Sequence, residues 1–120
     1  MIIEADETVA RIITRARIPQ GATISSPTLS RSELLMRLGA LSDDTRLHIL
    51  ELLAHEAELT TQDIIDALDL SQSSASRHLN QLAATGYLVT RQQERIKYYR
   101  LNSDRIDQTF DELKQFVRET

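Results

Sequence analysis

Residues 70–82, LSQSSASRHLNQL, crowd Ser71, Ser73, Ser74 and Ser76 into six positions, while Ala75, Leu79, Leu82 and Ala83 recur at the spacing of one helical face. With Ala75 at the centre of the inner side and about 100° per residue, Asn80, Ser73 and Arg77 fall at about 140°, 160° and 200°. Ser76 and Gln81 flank them. The outward side therefore carries a guanidinium, two carboxamides and short hydroxyls. These groups read base edges and phosphates: Arg pairs bidentately with guanine, Asn and Gln with adenine, and Ser meets bases or phosphate oxygens. Short side chains also let a helix axis approach a groove floor. The plain alternative is a hydrophilic surface helix. Such helices usually carry Glu and Lys, which have better helix propensity and pair at i,i+4, and neither type occurs from Ser71 to Thr85.

Charge is distributed in the same sense. The chain of 120 residues has a net charge of −4, yet residues 41–69 carry one basic and eight acidic side chains, whereas in residues 70–101 Arg77, Arg91, Arg95, Lys97 and Arg100 face only Glu94. A basic segment thus begins where the serine helix begins. That is the footprint of a local phosphate-binding surface; the alternative is a solvated charged face.

Other chemistries find no constellation. Zero cysteines exclude disulfides, thiolate metal sites and thiol redox sensing. His48 and His55 sit seven apart on one helix, roughly 10 Å along its axis, too far to share a zinc ion. Asp104, Asp107 and Asp111 lack an imidazole and make a poor transition-metal set. Ser74 and His78 are an i,i+4 pair without an orienting third group, and glycines at 21, 39 and 86 only leave no phosphate-cradling loop. The expectation is neither an enzyme nor a cofactor protein. Arg46 either contacts phosphate or stitches helices together. His78 is read as a core-edge imidazole with a backbone partner, with a phosphate contact as the other reading.

The elements that would position the serine helix are legible from periodicity and caps. Residues 4–17 have helical spacing up to Pro19, and PQGATISSPTLS reads as a linker, so residues 1–30 form an N-terminal helix and linker, and residues 31–120 the main domain. Ser30 with Glu33 is a capping box for a helix from 31 to about 40. SDDTRLHILELLAHE predicts a second core helix with Leu47, Leu50, Leu53 and Ala54 inward. Thr60 and Asp63 start a short helix with Ile64, Ile65 and Leu68 inward, and Ser71 caps the serine helix, which ends at Gly86. Two short helices a few residues apart make a helix-turn-helix arrangement.

YLVTRQQERIKYYRL then reads as a hairpin with an unusual glycine-free tip, Tyr98 and Tyr99 pointing to opposite faces. Ser103 is expected to cap a last helix whose Ile106, Phe110, Leu113 and Val117 line one side. That stripe and the N-terminal helix have no cover within one chain, which predicts a homodimer interface. No apolar run reaches the eighteen or so residues of a membrane span, and the N-terminus lacks the features of a secretory signal, so the expected place is the cytoplasm.

LGALSDDTRLHILELL, LSQSSASRHLNQLAATGYL and RQQERIKYYRL together resemble the winged helix-turn-helix repressors of the ArsR type, over roughly residues 34–102. The resemblance implies a mainly α fold with a β-hairpin wing, terminal helices that build a dimer, and a homodimeric bacterial regulator that binds a pseudo-palindromic operator in double-stranded DNA. By position it implies that Ser73, Ser74, Ser76, Arg77 and Gln81 meet DNA from the helix and Arg91, Arg95 and Lys97 from the wing. The paired cysteines of the family's metal sensors are replaced here by LTTQDII, and the last helix has no histidine. The sequence names no effector. A winged-helix protein-interaction module, or the DNA-binding part of a larger regulator, are the competing readings.

Overall fold

The computed structural model describes residues 29–119. The expected helix over 4–17 and almost all of the linker lie outside them. Helix α1 (Arg31–Leu41) begins as its sequence dictates: the Glu33 amide donates to Ser30 Oγ at 3.1 Å and the Ser30 amide donates to Glu33 Oε1 at 3.1 Å. Each bond satisfies an amide that the first helical turn leaves open. Helix α2 (Asp44–His55) follows directly, capped by Asp43, whose carboxylate accepts from the Arg46 amide at 3.0 Å.

The buried face of α2 is Ile49, Leu50 and Leu53: Leu50 and Leu53 lie inward as expected, and Ile49 is buried in place of Leu47 and Ala54. Leu47 is 51 % exposed and Ala54 is exposed; both line an apolar groove between α1, α2 and the last helix. The periodicity of this helix is ambiguous because leucines lie on two sides of it. Packing against the helix-turn-helix pair and the sheet selects the side that carries Ile49.

A two-residue strand β1 (Leu59–Thr60), absent from the sequence reading, leads into α3 (Thr61–Leu68), whose start is the expected Thr60/Asp63 capping box. Asp69 turns the chain in the left-handed region, φ 54°, and Ser71 then caps α4 (Gln72–Ala84), accepting from the Ser74 amide at 3.1 Å. Gly86, at φ 88°, ends it as expected. A side chain there would be strained by the backbone itself, and its Cβ would force the Arg105 guanidinium, whose Cζ lies 2.8 Å from that position, to move.

Strands β2 (Leu88–Gln93) and β3 (Ile96–Leu101) form the hairpin, and β1 adds to its far side to give the order β1-β3-β2. Gln93 pairs with Ile96, so the loop is the two residues Glu94 and Arg95, at φ 49° and 71°. Two positive φ values are what a type I′ turn requires, and its twist matches the strands it joins. The glycine-free tip keeps the tight turn and accepts the cost of placing two L side chains in the left-handed region.

Helix α5 (Ser103–Arg118) does not use Ser103 as its cap. Asn102 holds that position without a side-chain cap bond; its Nδ2 instead donates to the Gly86 carbonyl at 3.0 Å. The side chain serves the α4–β2 junction rather than its own helix. Tyr87 beside it is fully buried, with its hydroxyl 3.0 Å from the Arg37 carbonyl and 2.8 Å from Thr109 Oγ1, which is itself 2.9 Å from the Arg105 carbonyl. This cluster ties α1, the end of α4 and α5 together, and burial pushes the phenol above its ordinary pKa. Among the described residues no helix is long and apolar enough to cross a membrane.

Candidate nucleic-acid interface

Helix α4 separates its two sides as its sequence requires. Ala75, Leu79 and Leu82 are fully buried beneath it, while Ser73, Arg77, Asn80 and Gln81 are exposed and Ser74 and Ser76 are half-buried at the edges. Among the described residues the side chains of Arg77, Asn80 and Gln81 make no hydrogen bond or ion pair. The donors and acceptors of this face are therefore open to an outside partner. Its helix has no acidic residue in its first turn.

The back of α4 is fixed by Arg46. Its Nε donates to the Ala40 carbonyl at 2.7 Å and its Nη2 to the Gly39 carbonyl at 3.2 Å, while Nη1 lies 3.2 Å from His78 Nδ1. A guanidinium has donors only. His78 Nδ1 is then the acceptor, which places the imidazole proton on Nε2. Asp43 completes the corner, 3.8 Å from His78 Nδ1, and its carboxyl is held below the usual carboxylate range by the Arg46 amide and then by the Arg46 charge. Arg46 thus stitches the α1–α2 corner to the serine helix. The partner of His78 is that guanidinium, not the backbone group expected from sequence.

The hairpin stands beside the start of α4. Thr60, Thr61, Gln62, Gln72, Arg95, Ile96 and Lys97 line a groove of about 390 Å³ between the wing and the first turns of α3 and α4. Arg95 and Lys97 are exposed there and, among the described residues, have no ion-pair partner. Arg91 is placed differently. Its Nε and Nη2 donate to Glu58 Oε2 and Oε1 at 2.8 and 2.9 Å, its Nη1 donates to Gln93 Oε1 at 2.7 Å, and its guanidinium lies 4.2 Å from the centre of the Tyr98 ring. Glu58 is pulled below its ordinary pKa chiefly by the hydrogen bonds from Arg91. Tyr99 is the inward tyrosine and is buried; Tyr98 is half-buried under Arg91.

Of the expected apolar stripe on α5, Ile106 and Leu113 are half-buried, Phe110 is 45 % exposed and Val117 is 62 % exposed. Ile106 and Phe110 join Leu38, Leu41, Leu47 and Leu50 around a groove of about 600 Å³. Arg37 Nη1 to Glu112 Oε1 at 2.8 Å holds α5 against α1. Among the described residues no three His, Cys, Asp or Glu side chains are gathered as a metal would need; His48 and His55 are both exposed. Glu58, Tyr87 and Thr109 escaped the sequence reading because their partners lie 22 to 50 residues away. No local pattern announces such pairs.

The family model for bacterial regulatory proteins of the arsR family matches residues 43–89, from the cap of α2 to the start of the wing. The arsenic resistance transcriptional regulator ArsR1 of Pseudomonas putida is 44 % identical over 64 residues, which cover 53 % of this chain and 50 % of that protein. The arsenical resistance operon repressor of Staphylococcus aureus is 33 % identical over 85 residues, covering 71 % of this chain and 81 % of the repressor. An ArsR-like transcriptional regulator from Rhodococcus has a similar structure, with a TM-score of 0.63 at 30 % identity, covering 73 % of this chain and 82 % of that one. The chain spans about half the length of the Pseudomonas putida relative and of the Escherichia coli arsenical resistance operon repressor, 50 % and 53 %.

Proposed function

The chain belongs to the arsR family of bacterial regulatory proteins, and we propose that it is a sequence-specific DNA-binding transcriptional repressor that acts as a homodimer in the cytoplasm. One observation carries the reading: the outward face of α4 offers Arg77, Asn80 and Gln81 without side-chain partners among the described residues, with Ser73 exposed beside them, on a helix pinned from behind by Arg46. Specific readout needs side chains that are free but whose helix is not. Ser74 and Ser76, at the edges of the face, suit phosphate oxygens, and Arg95 and Lys97 on the wing add the sequence-independent attraction.

The dimer is supported by the apolar surface of α5, where Phe110 and Val117 stay exposed and Ile106 and Phe110 open onto an apolar groove. A second copy packing α5 on α5 through Ile106, Phe110, Leu113 and Val117 removes that surface from water. Arsenic and cadmium appear in the names of related regulators. In this chain we place the regulatory input elsewhere than on thiolates, since its 120 residues include no cysteine and arsenic and cadmium favour soft sulfur ligands. Neither a nucleophile with its base and orienter nor a cofactor cradle enters this reading.

Selection of bound duplexes from a random DNA pool by the full chain tests it. A pseudo-palindrome with half-sites about 34 Å apart is the expected product. A pool that stays unenriched overturns sequence-specific binding, and enrichment of a single asymmetric half-site overturns the dimer.

A further inference from the structure

We infer that Arg91, Glu58 and Tyr98 form a clamp that sets the position of the wing, so that Arg91 is a positioning residue for DNA binding rather than a phosphate ligand. The inference rests on the DNA-binding reading above and changes the role of one residue within it.

The strand register makes the first case. Arg91 pairs with Tyr98 across β2 and β3, and Gln92 pairs with Lys97, so Arg91 and Lys97 project from opposite faces of the hairpin. Lys97 lines the groove against α3 and α4. Arg91 lies on the other face, turned away from that groove.

The bonding makes the second. The guanidinium spends Nε and Nη2 on both oxygens of one carboxylate, Nη1 on Gln93, and its flat face on the Tyr98 ring. A fork-on-carboxylate pair fixes both direction and distance, and the stacked ring fixes the plane. Three of the five guanidinium N–H donors are spent, among them the Nε–Nη2 fork that would grip a phosphate bidentately.

The mechanics of the wing make the third. A two-stranded hairpin is at best marginally stable alone, and from Val89 to Gln93 every residue of β2 is exposed. The tip adds two non-glycine residues at positive φ. The base of the hairpin is packed into the core through Leu88 and Tyr99, but the backbone pairing from the body is only the two residues of β1, paired to Tyr98 and Tyr99, and Glu58 is the residue immediately before them. Among the described residues the Arg91–Glu58 pair is the wing's one ion pair, and it spans all three strands. It extends a two-residue pairing into a fixed angle, which decides where Arg95 and Lys97 stand relative to Arg77.

Two substitutions in the full chain separate the roles. Arg91→Lys keeps the charge and loses the fork; Glu58→Gln keeps the shape and loses the carboxylate. The probes are the duplex enriched from the random pool and a mixed-sequence duplex of equal length, read by fluorescence anisotropy, together with hydrogen exchange of the amides of residues 92–97 without DNA. A positioning clamp predicts that both variants bind the enriched duplex about two- to five-fold more weakly, the scale of an exposed pair, and that the wing amides exchange faster while those of α2 and α4 do not. A phosphate ligand predicts the reverse for Glu58→Gln, which would release Arg91 and tighten binding, and no loss for Arg91→Lys. Either of those results, or unchanged exchange in the wing, overturns the clamp. Failure of the wild-type chain to bind any duplex refutes the DNA-binding reading instead, and the exchange measurement still decides whether the clamp exists.

Discussion

Replacing Arg46 by methionine removes a guanidinium and keeps most of the side chain's apolar stem, so the change isolates polar bonding from packing. Arg46 caps the end of α1, where the last carbonyls have no partner within the helix. Of its two backbone acceptors, the Gly39 carbonyl also receives the Ser42 amide at 3.0 Å and keeps that bond in the variant. The Ala40 carbonyl, 2.7 Å from Arg46 Nε in a residue with no exposed surface, is left with nothing described to replace it. One charge-assisted bond to a buried acceptor is worth about 1.5–3 kcal/mol. The expected loss is therefore about 2 kcal/mol, read as a lower urea midpoint with an unchanged m-value. His78 loses its partner at the same time, so DNA affinity falls through a looser α4, with the salt dependence of binding retained. A stability loss below about 0.5 kcal/mol together with a salt slope reduced by about 0.9 would refute this account, because that is the signature of a lost phosphate contact.

Three further outcomes follow from the same geometry. Asp43 and Glu58 are both held below their ordinary pKa values of 3.8 and 4.5, so the stability they contribute is fully present above those values and is lost as pH falls through their lower folded values; the stability of wild type should therefore fall more steeply with acid than that of Asp43→Asn or Glu58→Gln, each of which flattens the acid limb, and unchanged limbs refute the assignment. Gly86→Ala should cost at least about 1–2 kcal/mol for the left-handed backbone alone, and Arg105→Ala should recover part of any excess, since the new methyl meets the Arg105 guanidinium; additive losses in a double-mutant cycle would refute the contact. Arg77→Ala should leave the urea midpoint unmoved, because the side chain is exposed and has no partner among the described residues, while weakening specific binding by about 1–3 kcal/mol if it reads a base; equal loss on every duplex would make it a phosphate contact.

What could be read from sequence was local. Ser30 with Glu33, Thr60 with Asp63, and Ser71 before α4 all act within one helical turn, and all three caps form as their spacing requires. The faces of α4 follow from periodicity because its apolar residues lie on a single side. Where apolar residues lie on two sides, as with Leu47 and Ile49 on α2, the choice belongs to the neighbours. Strand β1 has no signal of its own: two residues become a strand because β3 lies beside them. Ser103 and Asn102 are equally good caps by residue type, and Asn102 takes the position with its carboxamide bonded to the Gly86 carbonyl across the fold. Tyr87 reads as one apolar residue among many until Thr109 and the Arg37 carbonyl are seen to converge on its hydroxyl.

The electrostatics of the candidate interface show the same limit in a form that matters for function. Counting along the chain treats Arg91 as one of five cations facing Glu94 in residues 70–101, and Glu58 as part of the acidic segment before it. In the fold these two charges meet as a fork on a carboxylate, 33 residues apart, and cancel. The cations left open on this part of the surface are Arg77 on the helix, Arg95 and Lys97 on the groove side of the wing, and Arg100, which projects from the same face of the hairpin as Arg91. Non-specific affinity depends on phosphates neutralised rather than on residues counted. A salt slope sized to Arg77, Arg95 and Lys97 per subunit, with Arg91→Lys changing affinity but not charge, is the quantitative form of the claim that the wing is aimed by one arginine and binds with others.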